Sequence, residues 1–588
     1  MNDFILNALS LLGGLALFLF GMNVMGNALE KRAGSQLKNI LANLTSSPLK
    51  GFLLGLGVTA IIQSSSATTV MVVGFVNSGI MQLQHAIGVI MGANLGTSVT
   101  SWLLSLAGID GDVLWIQLLK PTSFTPVLAF IGMILYVFCK RQKQKDTGLI
   151  LLGFATLMYG MDAMSAAVKP LAGNESFQQI LVLFENPLFG VLAGTVLTAI
   201  IQSSSASVGI LQALSMTGGI TCSAAVPIIM GQNIGTCVSS VISSIGANKN
   251  AKRASMVHIL FNILGTAVLL PLYYLAQMLI ERFAGFSIGD VTVTPLLIAV
   301  IHTVFNLLAV AVLMPFTKGL EKLAHFFVRD SKKAETTQLL DKRLLATPSV
   351  AVERCREVAG TMAEISVNSL YKALDLITNY SVKAADEVRA EENRVDHYED
   401  ELGTYLVKLS THRMSESDSA EVSKLLHIIG DFERISDHAV NIVESAEEIN
   451  DKKLSLSAEA QRELGVMLDA IREILDLALK AFSGGEYSKV FMIEPLEEVI
   501  DHLRDSLKRR HIARLQRNDC TIEMGFVLSD LLINLERVAD HCSNVGCCMI
   551  EMTHESLDVH EYLTKLKAQP DSEFTSGYEY YRTKYSLS

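Results

Sequence analysis

The chain has 588 residues, 50% of them apolar and 18% charged, with a formal net charge of −11, which is long enough for several domains. That average conceals a division: through Phe316 there are 14 Lys+Arg against 10 Asp+Glu, and beyond it 34 against 49, so a charge-poor apolar part precedes an acidic one. With no clustered basic face the chain is excluded from nucleic-acid binding. Its eight cysteines, without paired or metal-ligand spacing, argue against a disulfide framework and fit a reducing cytosol.

The apolar run from Phe4 to about Met25 follows Met1-Asn2-Asp3, which lacks the basic region of a secretory signal, and reads as a retained first span. A crossing helix needs about 20 apolar residues. Seven stretches qualify, roughly 4–28, 86–106, 123–139, 148–168, 222–245, 254–280 and 294–316. Regions 49–80 and 187–219 are also apolar, but each is broken by Gln-Ser-Ser-Ser: Gln63-Ser64-Ser65-Ser66-Ala67-Thr68 and Gln202-Ser203-Ser204-Ser205-Ala206-Ser207. The halves are about a dozen residues, too short to cross at about 1.5 Å per residue. Both regions read as re-entrant hairpins with a polar tip near mid-bilayer, because polar runs at that depth line a cavity.

The two blocks are 139 residues apart, and their surroundings keep that offset. Thr59-Ala60-Ile61-Ile62 matches Thr198-Ala199-Ile200-Ile201, Gly55 matches Gly194, and Gly92-Ala93-Asn94-Leu95-Gly96-Thr97 matches Gly231-Gln232-Asn233-Ile234-Gly235-Thr236. This is an internal duplication, with repeats at about 4–139 and 148–316. The loops holding Lys31, Arg32, Lys38 and Lys50, then Lys140, Arg141, Lys143 and Lys145, then Lys249, Lys252 and Arg253 are basic. The positive-inside rule makes them cytoplasmic, with the N-terminus outside and the acidic part in the cytosol. Three crossings between the hairpins make the repeats inverted, an architecture of secondary transporters.

After a linker at 317–348, amphipathic helical patterns run through 349–553, with six helices at about 349–383, 386–412, 417–450, 457–483, 486–517 and 520–552, and a loosely ordered tail at 554–588. Glu433-Arg434-Ile435-Ser436-Asp437-His438-Ala439-Val440-Asn441 recurs as Glu536-Arg537-Val538-Ala539-Asp540-His541-Cys542-Ser543-Asn544, and Glu392…Asp396-His397 as Glu497…Asp501-His502. The expected fold is all-α: a polytopic membrane domain of two inverted repeats with re-entrant hairpins (1–316), then a soluble domain of two three-helix bundles.

At each hairpin tip one half-helix ends and another begins. A helix start offers unpaired N–H groups and partial positive charge, to which serine hydroxyls add donors. Two such starts suit a compact anion, while freed carbonyls and Gln, Ser, Thr and Asn oxygens suit a hard cation such as sodium. The candidate residues are Gln63, Ser64, Ser65, Ser66 and Thr68 with Asn94 and Thr97, and Gln202, Ser203, Ser204, Ser205 and Ser207 with Asn233 and Thr236. The Asn-x-Gly-Thr segments read either as ligands or as glycine packing notches. His258…Asn262 and His302…Asn306, one helical turn apart, favour interhelical hydrogen bonds over metal ligation. Asp162 reads as a sodium ligand or proton relay, or as a solvated helix end.

The paired Gln-Ser-Ser-Ser blocks with their Asn-x-Gly-Thr partners resemble the type II sodium/phosphate cotransporter family, and the Glu-Arg-x-x-Asp-His-x-x-Asn repeats resemble PhoU. The whole chain is similar to bacterial sodium/phosphate cotransporter proteins that fuse the two. The resemblance implies inorganic phosphate as the anion, sodium as the coupling ion, binding around Gln63–Ser66 and Gln202–Ser205, and a regulatory cytosolic domain with protein contacts of its own. It also implies Mn, Fe or Zn on the acidic pairs Glu392, Asp396, Glu433, Asp437, Glu497, Asp501, Glu536 and Asp540; a surface salt-bridge network is the competing reading. The expected function is sodium-coupled phosphate transport across the cytoplasmic (inner) membrane, with a phosphate exporter or a membrane-tethered signalling protein without transport as alternatives. An enzyme is not expected, since no phosphate-cradling Gly-Lys loop, nucleophile elbow or zinc motif is present.

Overall fold

The computed structural model describes residues 2–42, 48–79, 81–109, 120–170, 175–329, 340–412, 414–483, 487–517, 519–553 and 573–587. The described residues are helical apart from turns and one isolated bridge between Thr221 and Thr292. The chain divides into two compact units, Met1–Ser349 and Val350–Ser588.

In the first unit α1 (Asn2–Ala42) precedes the hairpin α2 (Pro48–Ile62) and α3 (Ser65–Asn77). Next come α4 (Leu83–Ser105), α5 (Pro121–Phe138) and α6 (Gln142–Val168). A short α7 (Glu175–Leu183) leads to the second hairpin, α8 (Pro187–Ile201) and α9 (Ser204–Ser215), followed by α10 (Cys222–Ser244), α11 (Lys249–Ala284) and α12 (Pro295–Leu313). Among the described residues seven helices are long and apolar enough to cross a membrane, and they match the stretches expected. The hairpin arms hold 15, 13, 15 and 12 residues. At about 1.5 Å per residue they reach about 18–23 Å, short of a hydrocarbon core of about 30 Å.

The first arm of each hairpin lies flat on the helix that follows it, α2 on α4 and α8 on α10. Glycines permit this: a Cβ at Gly55 would fall 2.8 Å from the Val89 carbonyl carbon, and one at Gly194 would fall 2.9 Å from the Gln232 amide nitrogen. The second arms cross over. α3 packs against α10 and α11 of the second repeat, and α9 against α4 of the first.

Part of the expected linker is helical. α13 (Thr317–Phe327) buries Leu320 and Ala324, and Lys342–Ala346 form a 3-10 turn.

The second unit holds α14 (Pro348–Leu376), α15 (Val382–Ser410), α16 (Glu416–Asp451), α17 (Ala458–Ser483), α18 (Ile493–Gln516) and α19 (Ile522–Thr553). These are the six expected helices, with the fifth starting later because Tyr487–Met492 form a 3-10 segment. The expectation of a loosely ordered tail is corrected over Glu573–Lys584. This stretch forms α20, which packs on α18 and buries Tyr581 and Tyr585. Its polar residues hide an aromatic stripe at three- and four-residue spacing, Phe574, Tyr578, Tyr581 and Tyr585. Residues 554–572 lie outside the described residues.

Candidate functional site

Both hairpins turn in the same way. α2 ends where the Gln63 amide donates to the Thr59 carbonyl at 2.8 Å, and α8 where the Gln202 amide donates to the Thr198 carbonyl at 2.7 Å. Each glutamine takes left-handed backbone, φ 60° and 59°. A residue with a Cβ adopts that conformation only where its surroundings hold it, and such outliers collect at functional sites. The next residue, Ser64 or Ser203, is extended, and its hydroxyl accepts from the amide of Ala67 (3.1 Å) or Ala206 (3.2 Å). That bond caps the following helix. Among the described residues the amides of Ser65, Ser66, Ser204 and Ser205 donate to no protein acceptor, so each tip presents free N–H groups and the positive end of a helix dipole. The tips meet: the Ser66 hydroxyl donates to the Gln202 carbonyl at 3.4 Å.

Behind the tips the repeats differ. In the first, Thr59 donates to the Thr68 hydroxyl at 2.9 Å. Gln63 is buried there, accepting from Thr100 of α4 at 2.9 Å and donating to the Ala60 carbonyl. In the second, the Gln202 side chain is exposed. The hydroxyls of Thr198 and Ser207, which correspond to Thr59 and Thr68, are buried without a partner among the described residues, and so is the Gln232 side-chain oxygen. The Gln232 side-chain nitrogen donates to the Ser207 carbonyl at 3.0 Å, and Gln232 also lines an otherwise apolar cavity of about 260 Å³ between residues of α8, α9 and α10.

The Asn-x-Gly-Thr segments sit on α4 and α10, behind the hairpins. Asn94, Thr97, Asn233 and Thr236 are buried, and each side chain donates to a carbonyl four residues back in its own helix. Gly96 and Gly235 face the hairpins, and a Cβ on either would fall 2.7 Å from the Cβ of Thr59 or Thr198. The packing notch is therefore present, and these four side chains do not hydrogen-bond the serine tips. His302 Nδ1 lies 3.0 Å from the Ser98 hydroxyl, His258 Nδ1 lies 3.2 Å from that of Ser240, and Asn262 donates to Cys237 Sγ at 3.3 Å. Both histidines and Asn262 thus make interhelical hydrogen bonds, while Asn306 donates to the His302 carbonyl of its own helix. Asp162 is partly buried on α6.

Four polar residues close to the tips carried no expectation. Thr59 and Thr198 lie in the repeated Thr-Ala-Ile-Ile leads and were findable there. Gln212 and Gln232 stand where the first repeat has Val73 and Ala93, so a search for broken symmetry would have found them. The Gln212 amide donates to the carbonyls of Ser101 (3.0 Å) and Pro295 (2.9 Å), tying α9 to α4 and α12.

In the acidic unit the repeated motif divides into two jobs. Its His and Asn reach across between α16 and α19. His438 (2.8 Å) and Asn441 (3.2 Å) meet the Asn534 side-chain oxygen, while His541 (3.0 Å) and Asn544 (3.1 Å) meet Asp431. Burial holds the His438 pKa below its ordinary value. The acids form two unequal faces. In the second half Arg504 binds Asp501 at 2.7 Å and Glu536 at 2.6 Å. The corresponding residue in the first half is Glu399. There Glu433 is pushed up to about 7 by burial and then by Asp437, and Glu392 is raised by burial and then by Asp437 and Asp396. Arg434 answers only at 3.5 Å from Glu433 and 3.4 Å from Asp437. Among the described residues no three His, Cys, Asp or Glu side chains converge as metal ligands, so the eight carboxylates do not form a ready multinuclear site in this conformation.

The family described as Na+/Pi-cotransporter matches the chain twice, over residues 17–166 and 157–328, together more than half its length. The PhoU domain matches over 360–446 and 464–549. The Escherichia coli K12 protein YjbB, whose name proposes inorganic phosphate export, is 24% identical over 567 residues, covering 95% of this chain and 100% of its own. Sodium-dependent phosphate transport protein 2A of Rattus norvegicus is 37% identical over 98 residues, 16% of this chain and 15% of that protein. Among solved structures, PhoU from Pseudomonas aeruginosa is similar with a TM-score of 0.33 and 18% identity, covering 35% of this chain and 97% of that one.

Proposed function

Because the chain belongs to the Na+/Pi-cotransporter family and carries PhoU domain sequence, we propose that it moves inorganic phosphate with sodium across the cytoplasmic membrane, by alternating access around its paired hairpin tips. It is read as a transporter and not as an enzyme. The observation that carries this reading is the meeting of two identically built helix starts, with the amides of Ser65, Ser66, Ser204 and Ser205 free and Ser66 against Gln202. Free N–H groups and hydroxyls suit an oxyanion without a buried Lys or Arg.

Sodium is assigned to the second repeat. Thr198, Ser207 and Gln232 leave three buried oxygens without donors. Such neutral oxygens suit a hard cation, and a cation beside the oxyanion offsets its charge in a medium where either alone is strongly disfavoured. In the first repeat the matching hydroxyls satisfy each other, so the two copies stand in different states of one design. Exchanging those states by rocking the repeats is alternating access. The basic loops support a reading with the N-terminus outside and the acidic unit, read as regulatory, in the cytosol.

The full-length likeness to YjbB favours export as a second reading, with the same site running outward. A signalling protein without transport would tolerate a damaged tip; here both tips are intact. On the acidic faces, salt bridges account for the second half, where Arg504 holds the acids. The first half, with Glu392, Asp396, Glu433 and Asp437, is the face a divalent cation would relieve.

The test is radiolabelled phosphate flux in proteoliposomes under an imposed sodium gradient, run in both directions. Flux that follows the gradient supports the reading. Equal flux with choline in place of sodium rejects the coupling, and no flux in any condition rejects transport.

A further inference from the structure

The chain leaving the membrane helices returns to pack against them. Asp341 is buried, and its carboxylate accepts from the Asn77 side-chain amide, at the end of α3, at 2.7 Å. The Asn77 side-chain oxygen accepts from the Asn248 backbone amide at 2.7 Å, and its carbonyl accepts from the Asn248 side chain at 2.8 Å. Arg343 pairs with Asp341 at 2.9 Å and also donates to the carbonyls of Ser243 and, at 3.1 Å, Ile245. Leu344 is fully buried against Gly74 of α3, where a Cβ would fall 3.0 Å from its Cδ2. Residues 341–347 therefore tie α3 of the first repeat to the end of α10 and the α10–α11 turn of the second, beside Lys249, Lys252 and Arg253.

We propose that residues 341–347 form a clasp that holds the cytosolic side of the transport path shut, and that drawing it off α3 opens the path. This rests on the transport reading and membrane orientation given above. α3 starts at Ser65, in the tip, and ends at Asn77, so fixing Asn77 fixes the whole arm. Opening the tips to the cytosol requires α3 to part from α10, and the clasp bridges those two helices. Asp341 is buried and its partner Arg343 half-buried, which makes the arrangement two-state, because losing Arg343 while Asp341 stays in place leaves a buried carboxylate uncompensated. Thr347 is followed at once by Pro348, the first residue of α14, so the clasp is covalently continuous with that helix. The clasp is thus a handle on one hairpin.

The test uses the full chain in proteoliposomes. In Asn77→Cys/Asp341→Cys, oxidation should lock the clasp and bring phosphate flux to background, and reduction should raise flux about fivefold or more above the parent. Asp341→Ala/Arg343→Ala removes both charges together, leaving no orphan, and should raise flux similarly. Where the parent carries phosphate, equal flux in oxidised and reduced forms, or a double-alanine variant at or below the parent, overturns the clasp. A second readout needs no transport: Ser78→Cys, beside Asn77 and buried, should react with an impermeant maleimide about fivefold or more faster in the double-alanine background. Faster labelling without flux in any variant would reject the transport reading and keep the clasp, whereas unchanged labelling rejects the clasp itself.

Discussion

Ser66, in the first turn of α3, reaches the backbone carbonyl of Gln202, the left-handed residue of the other hairpin, at 3.4 Å. The contact joins residues 136 positions apart in sequence and sets two helix starts within reach of one small ligand. It is also a long bond to a carbonyl that an incoming anion would displace.

If the tips bind phosphate through their first turns, Ser65→Ala and Ser204→Ala each remove one donor to a charged ligand. Such bonds are worth about 1.5–3 kcal/mol, so the phosphate concentration for half-maximal flux should rise about tenfold or more. Dose–response flux in proteoliposomes checks this, and an unchanged midpoint in both variants would show that these hydroxyls are not ligands.

Thr198→Val keeps the shape of the side chain and deletes an oxygen that now has no partner. Thr198→Val and Ser207→Ala should raise the sodium requirement about tenfold while leaving thermal stability near the parent's, because no existing hydrogen bond is lost. Thr59→Val breaks the bond to Thr68 and should lower the melting temperature instead. Sodium titrations of flux and melting curves in detergent separate the two outcomes.

Gly55→Ala and Gly194→Ala force a methyl group against backbone of α4 and α10, which cannot retreat as a side chain would. Overpacking of this kind costs about 1–3 kcal/mol, so both variants should melt earlier and carry less phosphate. Gly57→Ala, with nothing within 4 Å, should match the parent. A loss at Gly57 equal to that at Gly55 would point to hairpin flexibility rather than close packing.

Glu433 gives the acidic unit a pH dependence. Burial and then Asp437 raise its pKa from 4.5 to about 7, so the folded state holds the proton more tightly than the unfolded chain. Its contribution is complete below about 4.5 and is lost as pH rises towards 7. Glu433→Gln should therefore stabilise the unit at pH 8 and have little effect at pH 4, read by unfolding of the full chain. Arg504→Gln should create a second repelling face and lower stability at pH 8. Added Mn or Zn should narrow the Glu433→Gln difference if it binds the first face, and isothermal titration of the parent reads that binding directly.

The crossing helices and the six helices of the acidic unit were legible in the sequence because each is long and strongly periodic. The tips were legible because Gln-Ser-Ser-Ser is polar where lipid demands apolar residues, and because it occurs twice. What could not be read was the difference between the copies. Identical Gln63 and Gln202 end up buried and exposed, since burial depends on which helix stands behind them, and Thr100 of α4 is distant in sequence. In the Glu-Arg-x-x-Asp-His-x-x-Asn repeat only the acids carried a reading, as metal ligands or a salt-bridge network, yet its His and Asn interlock α16 and α19. α20 was missed because its stripe is tyrosine among polar residues, a weaker apolar signal than leucine.

The most direct measurement of the central claim is the sidedness of the hairpin bases. Leu49 and Leu188, at the starts of the two hairpins, are exposed, and each is replaced singly by cysteine in the full chain, freed of its eight native cysteines, in oriented membranes. The inverted arrangement predicts that an impermeant maleimide labels Leu49→Cys only from the cytosolic face and Leu188→Cys only from the opposite face. Labelling of both from the same face would contradict it, and with it the meeting of two opposed helix starts at one site.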